Sequence, residues 1–239
     1  MSKARRAFQA PPPPPDAENY ELVKTREGTY WRKKRTGKNS DRSNETFKKN
    51  AALTNITSPA AKRIFNKLYE YIHHLDTARF IAQVSGRLKK EYNQTGKVDL
   101  TALANYDLQP YHPLYKLYPP GYQIDVKKGM VEIYMPLHEK SVKQLNSLVT
   151  GYYFEAVLLH GDPTKEKDLR VESEISPLYP IQKEIEKGCR LSLMLPTRET
   201  SWIVLLKVSC MEDNEPGLHP RLYGMKVVMV GDNTTEAHT

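Results

Sequence analysis

The hydrophobic period changes once along this chain of 239 residues, and that change limits what it can fold into. Ala61, Ile64, Phe65, Leu68 and Ile72 recur at helical spacing, with Lys62, Arg63, Asn66, Lys67 and Glu70 on the other faces. The spacing predicts an amphipathic helix over about 59–74, entered through Ser58 as N-cap and Pro59 as first helical residue. A second helix starts near Asp76 or Thr77. It turns Phe80, Ile81, Val84 and Leu88 inward and leaves Arg79, Arg87, Lys89 and Lys90 outside. With His74-Leu75-Asp76 as the turn, the two form an αα-hairpin, outlined like a helix-turn-helix. The usual turn glycine is absent and Gly86 falls inside the second helix, so nonspecific phosphate contact is expected over base reading.

From residue 121 onward the period is two. Tyr122, Ile124 and Val126 alternate with Gln123 and Asp125; Val131, Ile133 and Met135 with Glu132 and Tyr134; Leu169, Val171 and Ile175 with Arg170, Glu172 and Glu174. Four further runs, Tyr152 to Leu159, Arg190 to Leu195, Trp202 to Val208 and Tyr223 to Val230, complete about seven half-buried strands. The fold class read from this is α+β, a helical hairpin followed by an antiparallel β-sandwich. Pro196 to Thr200 is expected to join its flanking runs as a hairpin. Between helices and strands, Asn105 to Pro120 is too apolar for a free linker and too rich in proline for a regular helix. It is expected to pack on its neighbours, with an aromatic groove as the functional alternative.

The domain order is therefore a disordered Pro-rich and basic arm over 1–50, the helical hairpin region over 51–104, a packed Tyr/Pro-rich connection over 105–120, the sandwich over 121–232 and a disordered tail over 233–239. Charge follows the same division. Residues 1–100 carry 21 Lys+Arg against 10 Asp+Glu, and residues 101–239 carry 15 against 18. A basic attachment region joined to a separately folded domain has this pattern. Pro11 to Pro15 favours polyproline II and reads as a stiff spacer, or else as a proline-rich docking site. After it, Arg32, Lys33, Lys34, Arg35, Lys38, Arg42, Lys48 and Lys49 supply cations for phosphates, and Tyr30 and Trp31 supply faces for stacked bases.

Tyr30-Trp31-Arg32-Lys33-Lys34-Arg35-Thr36-Gly37, Ser43-Asn44-Glu45-Thr46-Phe47, Ala60-Ala61-Lys62-Arg63-Ile64 and the Arg87-Leu88 pair precede a β-rich remainder. In that order of parts, over residues 30–231, the chain resembles an uncharacterised family of bacterial proteins. The resemblance implies a helical-then-β arrangement and carries over no functional residue.

Catalytic chemistry has no visible footing. There is no strained Gly-x-Ser-x-Gly turn and no phosphate-binding glycine loop, and Glu172 with Glu174 reads as a solvated sheet face. The adjacent His73 and His74 point to different helix faces, so they do not share a metal; His112 and His219 lie in connections that only tertiary structure would bring together. Cys189 and Cys210 have no metal-ligand spacing and no disulfide framework. No catalytic residue, metal or cofactor is expected. No segment reaches the roughly 18–20 apolar residues of a membrane helix, and Arg5-Arg6 leads into prolines rather than an export signal. The expected compartment is the cytoplasm, without membrane partners. Two readings of function remain: a non-enzymatic protein that attaches to nucleic acid or a ribonucleoprotein through its basic N-terminal half, or a protein–protein assembly module acting through the sandwich.

Overall fold

The computed structural model describes residues 11–25, 28–34, 45–138, 142, 148–181, 188–197, 200–213 and 215–232. It divides into two compact units, 1–50 and 51–239.

In the first unit, β1 (Tyr20–Thr25) and β2 (Gly28–Lys33) form an antiparallel hairpin within the arm that composition predicts to be disordered. Leu22 lies opposite Trp31, Val23 opposite Tyr30 and Glu21 opposite Arg32. Such apolar and oppositely charged cross-strand pairs are what stabilise a sheet, and they outweigh the basic composition here. The indole N–H of Trp31 donates to the Pro11 carbonyl at 2.8 Å, which ties the proline run to this hairpin. The expected disorder of residues 1–10 and 233–239 lies outside the described residues.

Helix α1 (Glu45–Ile72) is longer than its apolar stripe, and Pro59 lies inside it rather than at its start. Ser58 does not cap a helix: its Oγ is 3.2 Å from Ser85 Oγ, which also meets Thr57 Oγ1 at 3.0 Å. These hydroxyls link α1 to α2 (Phe80–Thr95), and the buried stripe Thr57, Ala60, Ala61, Ile64, Leu68 and Ile72 begins at that link. Helix α2 begins later than expected because Asp76 Oδ1 accepts the Ala78 N–H, a local turn that competes with helix. It ends at Gly96, whose left-handed φ of 73° closes the last turn, its N–H donating to the Tyr92 carbonyl at 2.8 Å.

The alternating runs form two antiparallel sheets. The smaller holds β3 (Gln123–Lys127), β4 (Met130–Met135) and β8 (Cys189–Met194) in the order β3-β4-β8. In the larger, β9 (Ser201–Glu212) is central, paired with β5 (Val149–His160) on one side and with β11 (Tyr223–Asp232) on the other. Beyond β5 lie β6 (Arg170–Ile175) and the two-residue β7 (Tyr179–Pro180); the two-residue β10 (Glu215–Pro216) pairs with the end of β9. The strands flanking Pro196 to Thr200 do not form the expected hairpin, since β8 and β9 belong to different sheets. Their patterns explain this. Strand β8 alternates buried and exposed, whereas β9 is buried from Ser201 through Cys210 and takes a position covered on both faces.

One face of the larger sheet meets the helices. There the Tyr71 hydroxyl donates to Ser173 Oγ at 3.4 Å, and His74 stacks on Tyr223 with ring centroids 4.9 Å apart. The opposite face carries Phe154 edge-on to Tyr118 at 4.9 Å. Tyr118 follows α3 (Leu114–Leu117), a single turn inside the Tyr/Pro-rich connection. In that connection Tyr106, Leu108, Leu114, Leu117 and Tyr118 are buried, while Tyr111 and Tyr115 stay exposed. Between Tyr106 and Leu108 it runs along β11, with Leu108 N–H donating to Met225 and Val227 N–H to Tyr106.

Candidate nucleic-acid interface

Of the described residues singled out in the arm, the two aromatic ones do not share a surface. Tyr30 and Trp31 are consecutive in β2, so their side chains leave on opposite faces, Tyr30 beside Val23 and Trp31 beside Leu22. Arg32 is bound to the Glu21 carboxylate through Nε at 2.9 Å and through a guanidinium amine. Lys33 lies opposite Tyr20, and the Lys34 N–H bonds the Asn19 carbonyl at 2.6 Å. Lys48 and Lys49 are exposed on the first turns of α1. Arg35, Lys38 and Arg42 lie outside the described residues.

The helix pair offers a different arrangement. Residues 51–104 carry eight Lys+Arg and four Asp+Glu, and the excess is on the solvent side. Among the described residues, Lys62, Arg63 and Lys67 of α1, Arg79 before α2, and Arg87 and Lys90 of α2 make no ion pair with a carboxylate. Asp99 is engaged locally, its Oδ1 accepting from the N–H and the hydroxyl of Thr101 at 2.8 Å each. The burial of Ala60, Ile64 and Leu68 forces this layout, because an amphipathic helix that commits one stripe to the core leaves its cations in water.

Arg87 and Lys90 stand at a cleft of about 470 Å³ formed by α2 and the segment Asn105 to Pro110. The Arg87 guanidinium lies over the Tyr106 ring, 4.9 Å from its centroid, and reaches the Ala104 carbonyl at 3.4 Å. Tyr106 is fixed beneath it by a 2.8 Å bond from its hydroxyl to Gln83 Oε1. Burial pushes the Tyr106 phenol up to about 12, so it stays a neutral donor. Asp107 lies in the same cleft. Burial raises its carboxyl above the ordinary value, against the opposing pull of the Leu114 N–H and Lys226. Asn105 takes a left-handed φ of 56°, which turns the chain from the α2 side onto β11. Gly86 faces open space here, which keeps the wall of the cleft bare.

Other groups are brought together that the sequence left apart. Burial holds the His112 ring below its ordinary value, and Arg221, His219 and Lys116 add to that, so the two connection histidines do share a neighbourhood. Glu174 is not on a solvated face: its carboxylate accepts the Ser192 N–H of β8, while Glu172 lies 3.9 Å from His160. In the middle of the larger sheet, Lys207 Nζ meets Glu155 Oε2 at 3.1 Å, the two facing each other in register. A lysine inside the run Trp202 to Val208 was the signal for this buried pair. Burial raises the Cys189 thiol and pushes that of Cys210 up to about 12, so both stay protonated at neutral pH. Among the described residues no cluster of three or more His, Cys, Asp or Glu can hold a metal, and no helix is long and apolar enough to cross a membrane. Comparison with protein-family models, with curated proteins and with solved structures finds no match to this chain.

Proposed function

We propose that this protein is a non-enzymatic binding protein that attaches to nucleic acid, free or on a ribonucleoprotein surface, through its basic N-terminal half. The helix pair carries most of the phosphate contact. The observation behind this is the set of helix cations without carboxylate partners, Lys62, Arg63, Lys67, Arg79, Arg87 and Lys90. A cation paired to a carboxylate has little to gain from a phosphate, whereas an unpaired one releases counterions from the nucleic acid. The arm contributes Lys33, Lys34, Lys48 and Lys49, with Arg32 already neutralised by Glu21. Titration of single-stranded RNA, single-stranded DNA and duplex DNA at two salt concentrations tests the reading. Binding that weakens as salt rises is expected, and absence of binding to all three at low salt would overturn it.

A second reading has its own support. Ile175, Leu178 and Met194 remain largely in solvent, as an assembly surface on the sheets would require. In that reading the two sheets act as one sandwich, joined where Glu174 of β6 bonds β8. Salt-insensitive self-association or capture of a protein partner after nuclease treatment would favour it.

A further inference from the structure

One end of the larger sheet holds a polar cavity of about 670 Å³, built from the end of β5, the loop after it, the start of β6 and, between β8 and β9, Pro196, Thr197 and Thr200. None of the helix-pair cations lines it. The loop after β5 is folded tightly. Gly161 has a φ of +114°, and a Cβ there would lie 2.2 Å from the Asp168 carbonyl oxygen, so only glycine fits. Asp162 Oδ1 accepts the Thr164 N–H at 2.8 Å and its hydroxyl at 2.6 Å. Lys165 Nζ lies 3.3 Å from Asp162 and 3.8 Å from Asp168.

Among the described residues, those bonds engage both carboxylates that line the cavity. Burial opposes ionisation of Asp162, but Thr164 and Lys165 together hold its carboxyl below the ordinary value. Lys167 and Arg170 also line the cavity and make no ion pair among the described residues. His160 stands beside them. Burial, joined by Arg170, holds its ring below the ordinary value in spite of Glu172, so near neutral pH it offers hydrogen bonding without added charge. Thr197 and Thr200 line it from the facing side, the Thr200 hydroxyl donating to the Ser201 carbonyl at 3.4 Å. The described lining carries Lys165, Lys167 and Arg170 against Asp162 and Asp168, a net single positive charge; with Lys167 and Arg170 outside the ion pairs it suits an anion better than a cation or an apolar group, and the volume lies within the range of small-molecule sites.

We infer that this cavity binds a phosphate-bearing small molecule of mononucleotide size, with Lys167 and Arg170 on the phosphate and His160 and Thr197 completing its shell. The inference is independent of nucleic-acid binding by the helices. It is tested on the full chain by calorimetry and by the His160 ring resonances, with inorganic phosphate, adenosine 5′-monophosphate, adenosine and a single-stranded oligonucleotide as probes. Phosphate and the monophosphate are expected to shift His160 saturably and raise its titration midpoint, with the monophosphate tighter and adenosine silent. Lys167→Gln with Arg170→Gln should weaken the monophosphate about tenfold or more, the usual cost of losing charged hydrogen bonds. Lys62→Gln with Arg63→Gln and Lys67→Gln should leave it unchanged. If Arg170→Gln disturbs the fold, exposed Lys167→Gln alone carries the test. Absence of a saturable His160 shift, equal binding of adenosine, or full binding by the Lys167 variant would overturn the inference. So would a His160 response confined to the oligonucleotide, which would make the cavity part of a nucleic-acid surface.

Discussion

The helix pair and the larger sheet use the same residue type in opposite ways. Lys207 of β9 is 4% exposed and bound to Glu155, itself 12% exposed, across neighbouring strands. Lys62, Lys67 and Lys90 on the helices reach solvent and take no carboxylate. A buried charge is retained only with its partner, so Lys207 belongs to the fold; an unpaired surface charge contributes almost nothing to the fold, so the helix cations are free for another molecule. The position of the positive charge, more than its amount, separates what the fold uses from what it leaves in solvent.

The largest effect should come from breaking the buried pair. Lys207→Met leaves the Glu155 carboxylate without its counter-charge, and chemical denaturation should show a loss of about 3–5 kcal/mol. Adding Glu155→Leu should recover most of it, since two apolar side chains then replace the pair. A loss of less than about 1 kcal/mol in the single variant would mean that the pair is not desolvated as described.

Acid should act next on the same interface. His74, stacked on Tyr223, is held below its ordinary value by burial first and then by His73 and Lys207. A histidine lowered in the fold binds its proton more readily when unfolded, so stability is full above the unfolded value and falls as pH drops through about 6.5. His112 and His160 are lowered too and act in the same direction. Denaturation midpoints between neutral pH and mild acid should therefore decline, and His74→Phe, which keeps a ring on Tyr223, should reduce the decline.

On the helices the effects on stability should be small. Gly86→Ala places a methyl group in open space inside α2 and should add about 0.5–1 kcal/mol, because glycine is the poorer helix former. Changing Lys62, Arg63, Lys67, Arg87 and Lys90 together to Gln should have the least effect per residue, about 0.5 kcal/mol or less at each site.

Much of this fold was legible because its signals are local. All seven alternating runs became strands, and the apolar stripe from Ala61 to Ile72 became the buried face of α1. What failed depended on distant partners. Ser58 and Pro59 have the form of a helix start, yet Ser85 takes the Ser58 hydroxyl and the helix runs through. The pairing of β8 with β4, and of β9 with β5 and β11, could not be read from a connection whose residues suit a hairpin equally well. The candidate site shows the same limit. Helical spacing places Arg87 and Lys90 outward, but their cleft exists only because Asn105 to Pro110 folds back beside α2. In the arm, composition concealed the pairing of Arg32 with Glu21 and the opposite orientation of Tyr30 and Trp31.

The central claim is that the unpaired helix cations hold phosphates, and the salt dependence of binding tests it most directly. The logarithm of the affinity for one labelled oligonucleotide is plotted against the logarithm of salt concentration for three proteins: the wild type, the five-site helix variant, and a variant with Arg32, Lys33, Lys34, Arg35 and Lys38 changed to Ser. Each lost contact flattens the slope by about 0.7 on single strands and about 0.9 on duplex DNA. The helix variant is expected to lose several units of slope, and more than the arm variant. A helix variant with the wild-type slope, alongside an arm variant whose slope collapses, would contradict the claim.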